Sequence, residues 1–381
     1  MIERTSLRSD VVKILERSPI CYVAGPRQSG KTTLARTFLE PRHSAYFDLE
    51  DPETESRLSA PKLALNQDTP LTVIDEIQRR PDLFPLLRVL ADSPDLRTRY
   101  LILGSSSPGL IKGVSESLAG RAEIVEVGGF EPQETGLDSL ERLQLRGGFP
   151  RSYLAKNDED SIAWRKSFLS LIIEKDIPQL GATTPSAVLA RLWTMIAHYH
   201  GQIWNAADPA RSLGIGETTI RRLVDLLEGL YLIRVLRPWH ENISKRQVKS
   251  PKLYIRDSGL LHILLGIRGP GDLVSHPKSG ASWEGFILEN TIRSLKPDDS
   301  AFWATHNGAE LDLLLIKGGK RFGVEIKLNT APQVTPSMRI ALADLSLDHL
   351  WVIHPGHRTW PLSESVTALA AVGLFREGLP F

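Results

Sequence analysis

A single cysteine, Cys21, stands in the 381 residues. That scarcity excludes an internal disulfide framework and fits a reducing cytoplasm. Cys21 lies in an apolar run, where a buried structural thiol is expected. Long apolar stretches are missing too: none approaches the roughly 20 residues that a membrane-spanning helix needs. The first residues, MIERTSLRSD, lack the apolar core of a secretory signal. Charge of one sign is not in excess, since 46 Lys and Arg face 45 Asp and Glu for a net +1. Global charge therefore speaks neither for nor against nucleic acid, and any basic surface must be local. No internal repeat or low-complexity tract interrupts the chain. What remains is a soluble, cytoplasmic protein without a membrane partner, 41% hydrophobic and long enough for two or three domains.

The pattern along the chain changes twice. Up to about residue 130, short apolar runs alternate with amphipathic stretches: Ile20–Ala24, Ala45–Leu49, Leu71–Ile74, Tyr100–Leu103 and Ile124–Val127 read as strands. Continuous apolar runs separated by helices indicate βαβ units and a parallel sheet. From about 150 to 240 the spacing is helical, as in Trp164–Lys175 and Ala187–Tyr199. Beyond 250, a helix around Trp283–Leu295 precedes strands at Ala301–Thr305, Leu311–Lys317 and Arg321–Leu328, with Gly318-Gly319 as a turn. The Gly-, Pro- and Ser-rich Gly266–Gly280 reads as a flexible loop. The boundaries implied are 1–135, 136–265 and 266–381.

Residues 25–32 read Gly25-Pro26-Arg27-Gln28-Ser29-Gly30-Lys31-Thr32, a complete G-x-x-x-x-G-K-[ST] phosphate loop, with Thr33 following. Glycines let the backbone curl round phosphates so that its amides converge on the anion. Lys31 is positioned by this spacing to reach the β- and γ-phosphates and the Thr32 hydroxyl to ligate Mg²⁺. The helix expected over Lys31–Leu39 points its N-terminus at the same anion. ATP with Mg²⁺ is the ligand this loop calls for. Leu71-Thr72-Val73-Ile74 ends in Asp75 and Glu76, placing Asp75 to hold the Mg²⁺ shell and Glu76 to polarise the attacking water. The strand Tyr100–Leu103 runs into Gly104-Ser105-Ser106-Ser107, where one of the serines, Ser105 or one of the two that follow, is a candidate sensor of the γ-phosphate or the water; a plain serine turn is the other reading. Arg121 is a candidate phosphate contact, in cis or from a neighbouring copy in a homo-oligomer, with a surface salt bridge as the alternative.

GPRQSGKTTLA, YFDLEDP, VIDEIQ, LILGSSS, SLAGR and GGFP, in this order over nearly the whole chain, resemble a large prokaryotic family of AAA+-like ATPases. Its members carry a C-terminal domain of unknown function with a restriction-endonuclease-like look. Lys31, Thr32, Asp75 and Glu76 match the family's nucleotide motifs, and Asp48 matches as well. Val127-Gly128-Gly129-Phe130 departs from the family, where a more apolar, Pro-containing turn is expected.

Asn205–Leu213 and Glu217–Glu228, joined through Gly214-Ile215-Gly216, read as a helix-turn-helix, followed by a strand at Leu230–Leu236 and a basic hairpin with Lys245, Arg246, Lys249 and Lys252. This is a winged-helix pattern. It sets Thr218, Thr219, Arg221 and Arg222 against DNA in one reading and a protein partner in the other. In the C-terminal stretch, strand alternation puts Glu310 with Asp312, and Glu325 with Lys327, on common faces. With Glu284 on the preceding helix they resemble a PD-(D/E)xK nuclease signature. The resemblance makes Asp312 and Glu325 metal ligands, Lys327 a catalytic base partner and Glu284 an auxiliary. His198, His200 and His240 form no zinc pattern, and Trp193, Trp204, Trp239 and Trp283 read as packing anchors. The fold class expected is α/β: a P-loop NTPase with a parallel sheet, then a winged-helix segment and a C-terminal restriction-endonuclease-like α/β unit. The function expected is an ATPase acting on DNA; the alternative is a nucleotide-gated, protein-binding switch without nuclease activity.

Overall fold

A computed structural model of the chain describes residues 2–40, 43–66, 69–94, 97–105 and 116–379. They divide into two compact units. The first takes the residues up to Gly129 together with Asp225–Tyr231; the second takes Phe130–Val224 and continues from Leu232.

The first unit is built on five strands: β1 (Ile20–Gly25), β2 (Ser44–Asp48), β3 (Leu71–Asp75), β4 (Arg99–Ser105) and β5 (Ala122–Glu126). They lie in the order β2-β3-β4-β1-β5, every neighbouring pair parallel. All six residues of β1 are buried, as are Tyr100 to Leu103 of β4. Parallel strands covered on both faces have no solvent face to keep polar, which is why these runs are continuously apolar. One face packs Ile20, Tyr22, Phe47, Ile74 and Ile102, with Tyr231 against them; the other packs Cys21, Val23, Leu34, Val73 and Leu103. Because β4 lies between β1 and β3, the C-terminal ends of these three strands come together, and both sequence motifs start there.

In the second unit the helices Ser186–His198, Ala207–Leu213 and Glu217–Gly229 precede an antiparallel pair, β6 (Ile233–Leu236) with β7 (Lys252–Ile255); the last residues of Glu217–Gly229 count with the first unit. Gly214, at φ +67°, makes the turn between the last two helices. The strand expected over Leu230–Leu236 begins only at Ile233, after Tyr231 at φ +58° breaks the extended backbone. The stretch between β6 and β7 does not stand out as a wing. Its two ends run beside β8 (Asp299–Ala304), where Trp239 N–H donates to the Phe302 carbonyl at 2.7 Å and Val248 N–H to the Ala304 carbonyl at 3.0 Å. Backbone amides that a free hairpin would leave to water are satisfied by the edge of a neighbouring sheet.

That sheet contains β8, β9 (Glu310–Lys317), β10 (Lys320–Ile326), β11 (His349–His354), β12 (Trp360–Ser363) and β13 (Val366–Ala370), in the order β12-β13-β11-β10-β9-β8. β8, β9 and β10 are antiparallel, while β10, β11 and β13 run parallel. The helices Ser279–Leu295 and Pro336–Asp344 pack on it. The segment expected as a flexible loop, 266–280, contains the helix Pro270–Ser275 and the first two residues of Ser279–Leu295. Proline at its first helical position needs no backbone N–H, so composition alone misread it. No described helix is long and apolar enough to cross a membrane.

Candidate functional site

The phosphate loop follows β1. Val127 N–H donates to the Ala24 carbonyl at 2.7 Å, and a Cβ on Gly25 would stand 2.1 Å from the Val127 carbonyl oxygen. Gly25 is thus the residue that lets the loop leave β1 against the end of β5. Gly30 takes φ +94° directly before Lys31, a conformation that glycine reaches without strain. The helix that follows spans Lys31–Arg36, shorter than expected. Pro26 and Ser29 are buried, Arg27 is half-buried, Gln28 and Thr33 are exposed.

The Lys31 ammonium is buried and folds back on the loop, donating to the carbonyls of Gly25 at 3.0 Å and Pro26 at 2.9 Å. Burial lowers its pKa to about 8, with Glu76 and Asp75 acting in the opposite direction. Thr32 Oγ1 donates to Asp75 Oδ2 at 2.8 Å, and the Tyr46 hydroxyl donates to the same oxygen at 2.9 Å. The neighbouring Glu76 has φ +58°, a strained conformation for a glutamate, and its carboxylate accepts from Gln78 Nε2. Burial raises the Glu76 pKa above the usual range. Lys31, Thr32, Asp75 and Glu76, adjacent in pairs but over 40 positions apart in sequence, therefore meet at the ends of β1 and β3. Asp48 closes β2 in register with Asp75.

Ser105 ends β4 in register with Gly25, which sets its backbone beside the loop; Ser106 and Ser107 lie outside the described residues. Arg121 is placed differently. It precedes Ala122, the register partner of Ile20, at the edge of the sheet opposite the phosphate loop. There its guanidinium bonds Asp92 at 2.5 and 2.8 Å. The cis contact with phosphate expected for Arg121 thus lacks its geometry, because parallel strands carry their two ends to opposite edges.

One residue of this site went unread in the sequence. Arg4, buried, donates to the Ser29 carbonyl at 3.1 Å, the Gly128 carbonyl at 2.9 Å and the Gly129 carbonyl at 2.8 Å. It fastens the phosphate loop to the Val127-Gly128-Gly129 segment. Backbone carbonyls leave no trace in a motif, so nothing in the local sequence marks Arg4.

In the second unit, Asp312 and Glu325 come together on β9 and β10, where Asp312 Oδ2 accepts from Ile326 N–H at 2.9 Å and Lys327 Nζ bonds Glu325 Oε1 at 2.6 Å. Glu284 is beside them on the helix Ser279–Leu295, its Oε1 accepting from the Tyr254 hydroxyl at 2.6 Å. Burial, with the Asp312 charge adding to it, raises Glu284 to about 7 and Glu325 to about 8. Among the described residues, however, no three His, Cys, Asp or Glu side chains are grouped to hold a metal ion. A cation that the sequence reading assigned to a DNA-facing hairpin is in the cluster instead. Lys252, 3% exposed, pairs with Glu310 and lies 3.6 Å from Glu284 Oε1. The expected pair of metal ligands, Asp312 and Glu325, therefore meets a backbone amide and Lys327. Of the other hairpin cations, Lys245 pairs with Asp344 at 2.6 Å, while Arg246 and Lys249 are exposed. On the helix Glu217–Gly229, Thr218 is exposed and Thr219 half-buried, Arg221 pairs with Glu217 at 3.5 Å and Arg222 donates to the Gly181 carbonyl.

Three family descriptions match: an AAA domain over residues 17–136, a domain of unknown function (DUF8612) over 137–271 and another (DUF4143) over 279–372. Two uncharacterized proteins, of Mycobacterium tuberculosis and Mycobacterium bovis, are each 47% identical over 378 residues, covering 99% of this chain and 86% of theirs. The Walker-type ATPase of Pyrococcus abyssi shares the fold at a TM-score of 0.50 and 17% identity, over 70% of this chain and 96% of that one.

Proposed function

The chain belongs to the family of those two mycobacterial proteins, with a P-loop ATPase domain of AAA type followed by DUF8612 and DUF4143, and from that membership we propose that it binds and hydrolyses ATP as a nucleotide-gated switch. The observation that carries the reading is the convergence of Lys31, Thr32, Asp75 and Glu76. Lys31 exchanges two neutral carbonyls for the β- and γ-phosphate oxygens, a charged partner that an ammonium prefers. An alcohol and a carboxylate oxygen 2.8 Å apart, Thr32 and Asp75, fit a magnesium ion. Thr32 and Asp75 would hold it beside ATP, where it would supply charge neutralisation for the phosphates. Glu76 orients the attacking water and takes its proton; burial moves its pKa toward neutrality, where a general base works best. Gln78 holds the Glu76 carboxylate, and Ser105, beside Gly25, serves as sensor of the γ-phosphate.

The test is ATP binding and turnover by two variants. Lys31→Ala is expected to lose about 100-fold or more in affinity, since one charge-assisted hydrogen-bonding group is removed from a buried site. Glu76→Gln is expected to bind ATP normally and turn over about 10²- to 10⁴-fold more slowly. ATP held by Lys31→Ala with unchanged affinity would refute the assignment.

A second reading has the C-terminal unit acting on DNA as a nuclease, with the helical segment as a winged helix. Its support is the meeting of Asp312, Glu325 and Lys327. The engaged hairpin and the buried Lys252 support the switch instead. Cleavage of plasmid and linear DNA with Mg²⁺ or Mn²⁺, compared with Asp312→Ala and Glu325→Ala, separates the two. Activity lost in both variants favours the nuclease.

A further inference from the structure

We propose that the Lys252 ammonium is the resident cation of the C-terminal carboxylate cluster, so that this site takes no divalent metal until Lys252 is removed. The donor set argues for it atom by atom. Glu284 Oε1 is shared by the Tyr254 hydroxyl at 2.6 Å and by Lys252 at 3.6 Å. Glu310 Oε1 pairs with Lys252, Asp312 Oδ2 accepts the Ile326 amide and Glu325 Oε1 accepts from Lys327. A divalent ion of the magnesium class draws several oxygen lone pairs onto itself at about 2.0–2.1 Å. An ammonium among the same carboxylates competes for those lone pairs and repels the ion.

Lys252 also has little freedom to withdraw. All four residues of β7 are buried, its backbone is paired with Leu236 on one side and bridges Ile203 on the other. Its Nζ lies 5.5 Å from the centre of the Phe302 ring, a favourable cation–π distance. Four carboxylates, Glu284, Glu310, Asp312 and Glu325, thus face two lysines, Lys252 and Lys327. Removing Lys252 leaves the part-exposed Glu284 and Glu310 without their ammonium beside the buried Asp312 and Glu325, and a divalent cation is the compensating charge available in solution.

Manganese binding to the full-length chain without nucleotide or DNA tests this, apart from both ATP hydrolysis and DNA cleavage. Titration calorimetry and the manganese paramagnetic signal are the readouts. The wild-type chain and Lys252→Arg are expected to show no Mn²⁺ site that depends on Asp312. Lys252→Met is expected to gain one, bound at least about 100-fold more tightly than by wild type, since it pairs carboxylates otherwise left uncompensated. Adding Asp312→Asn to Lys252→Met should abolish it. Wild-type binding that Asp312→Asn removes would overturn the proposal, and so would a Lys252→Met chain that binds no more tightly than wild type. Should Lys252→Met fail to fold, the wild-type arm still decides: a Mn²⁺-induced rise in melting temperature that Asp312→Asn removes overturns the proposal, and no such rise supports it.

Discussion

Two buried lysines show how the same side chain is prepared for opposite tasks. Lys31 bonds two neutral carbonyls, and burial lowers its pKa to about 8. For Lys252 burial again disfavours the charge, but Glu284, Asp312 and Glu310 outweigh it and raise the pKa above the ordinary 10.5. What decides is the company each keeps. A cation held by dipoles gains when an anion arrives, whereas one held by carboxylates has already met its counter-charge.

The largest effect expected from breaking this pairing is at Lys252. Lys252→Met should destabilise the second unit by about 1.5–3 kcal/mol, the loss of a buried ammonium from part-exposed carboxylate partners, read from denaturant melts. Lys252→Arg should recover most of it. Lys31→Met should do the reverse, stabilising the ligand-free first unit by about 1–3 kcal/mol at pH 7 while abolishing ATP binding. The sign follows from linkage. Lys31 titrates near 8 when folded and 10.5 when unfolded, so the native state binds fewer protons between those values. Native stability therefore rises with pH across that window, and the cost of the buried charge is carried in full below it. The difference between wild type and Lys31→Met should shrink toward pH 10.5.

These contrasts were only partly legible in the sequence. The phosphate loop is eight consecutive residues whose spacing is itself the chemistry, and Asp75-Glu76 follows an apolar strand that announces itself. Lys252 reads as one more cation in a basic hairpin, because its partners Glu284 and Glu310 come from a helix and a strand that only folding brings to it. The hairpin's surroundings are hidden from the sequence for the same reason: its hydrogen bonds go to β8, about 60 positions later. For Arg121 the sequence leaves a phosphate contact and a surface salt bridge side by side, and only the sheet, which carries it to the far edge beside Asp92, favours the salt bridge within one chain.

Smaller effects sharpen the picture. Arg4→Ala should weaken ATP binding about 10-fold by loosening the Ser29 carbonyl, with Arg4→Lys intermediate. The histidine part of the second unit's stability should weaken in acid, because burial lowers His200 to about 3 and His262 to about 4, while the raised Glu284 and Glu325 act in the opposite sense. Both histidines depart from 6.5, so the stability they allow is complete above that pH and is lost as pH falls through 6.5 toward 4. Denaturant melts of the wild type and of His262→Gln at pH 7 and pH 5 isolate the histidine part, which the variant should lack. Arg121→Ala should leave intrinsic turnover within about twofold, its pair with Asp92 being a surface one. A large loss that grows with protein concentration would show instead that a second copy supplies Arg121.

The most direct measurement is ATP affinity, with Mg²⁺ present, for Lys31→Ala and Lys252→Arg side by side. Binding is expected to be lost in the first and to stay at the wild-type level in the second. ATP bound by Lys31→Ala as tightly as by the wild-type chain would contradict that expectation.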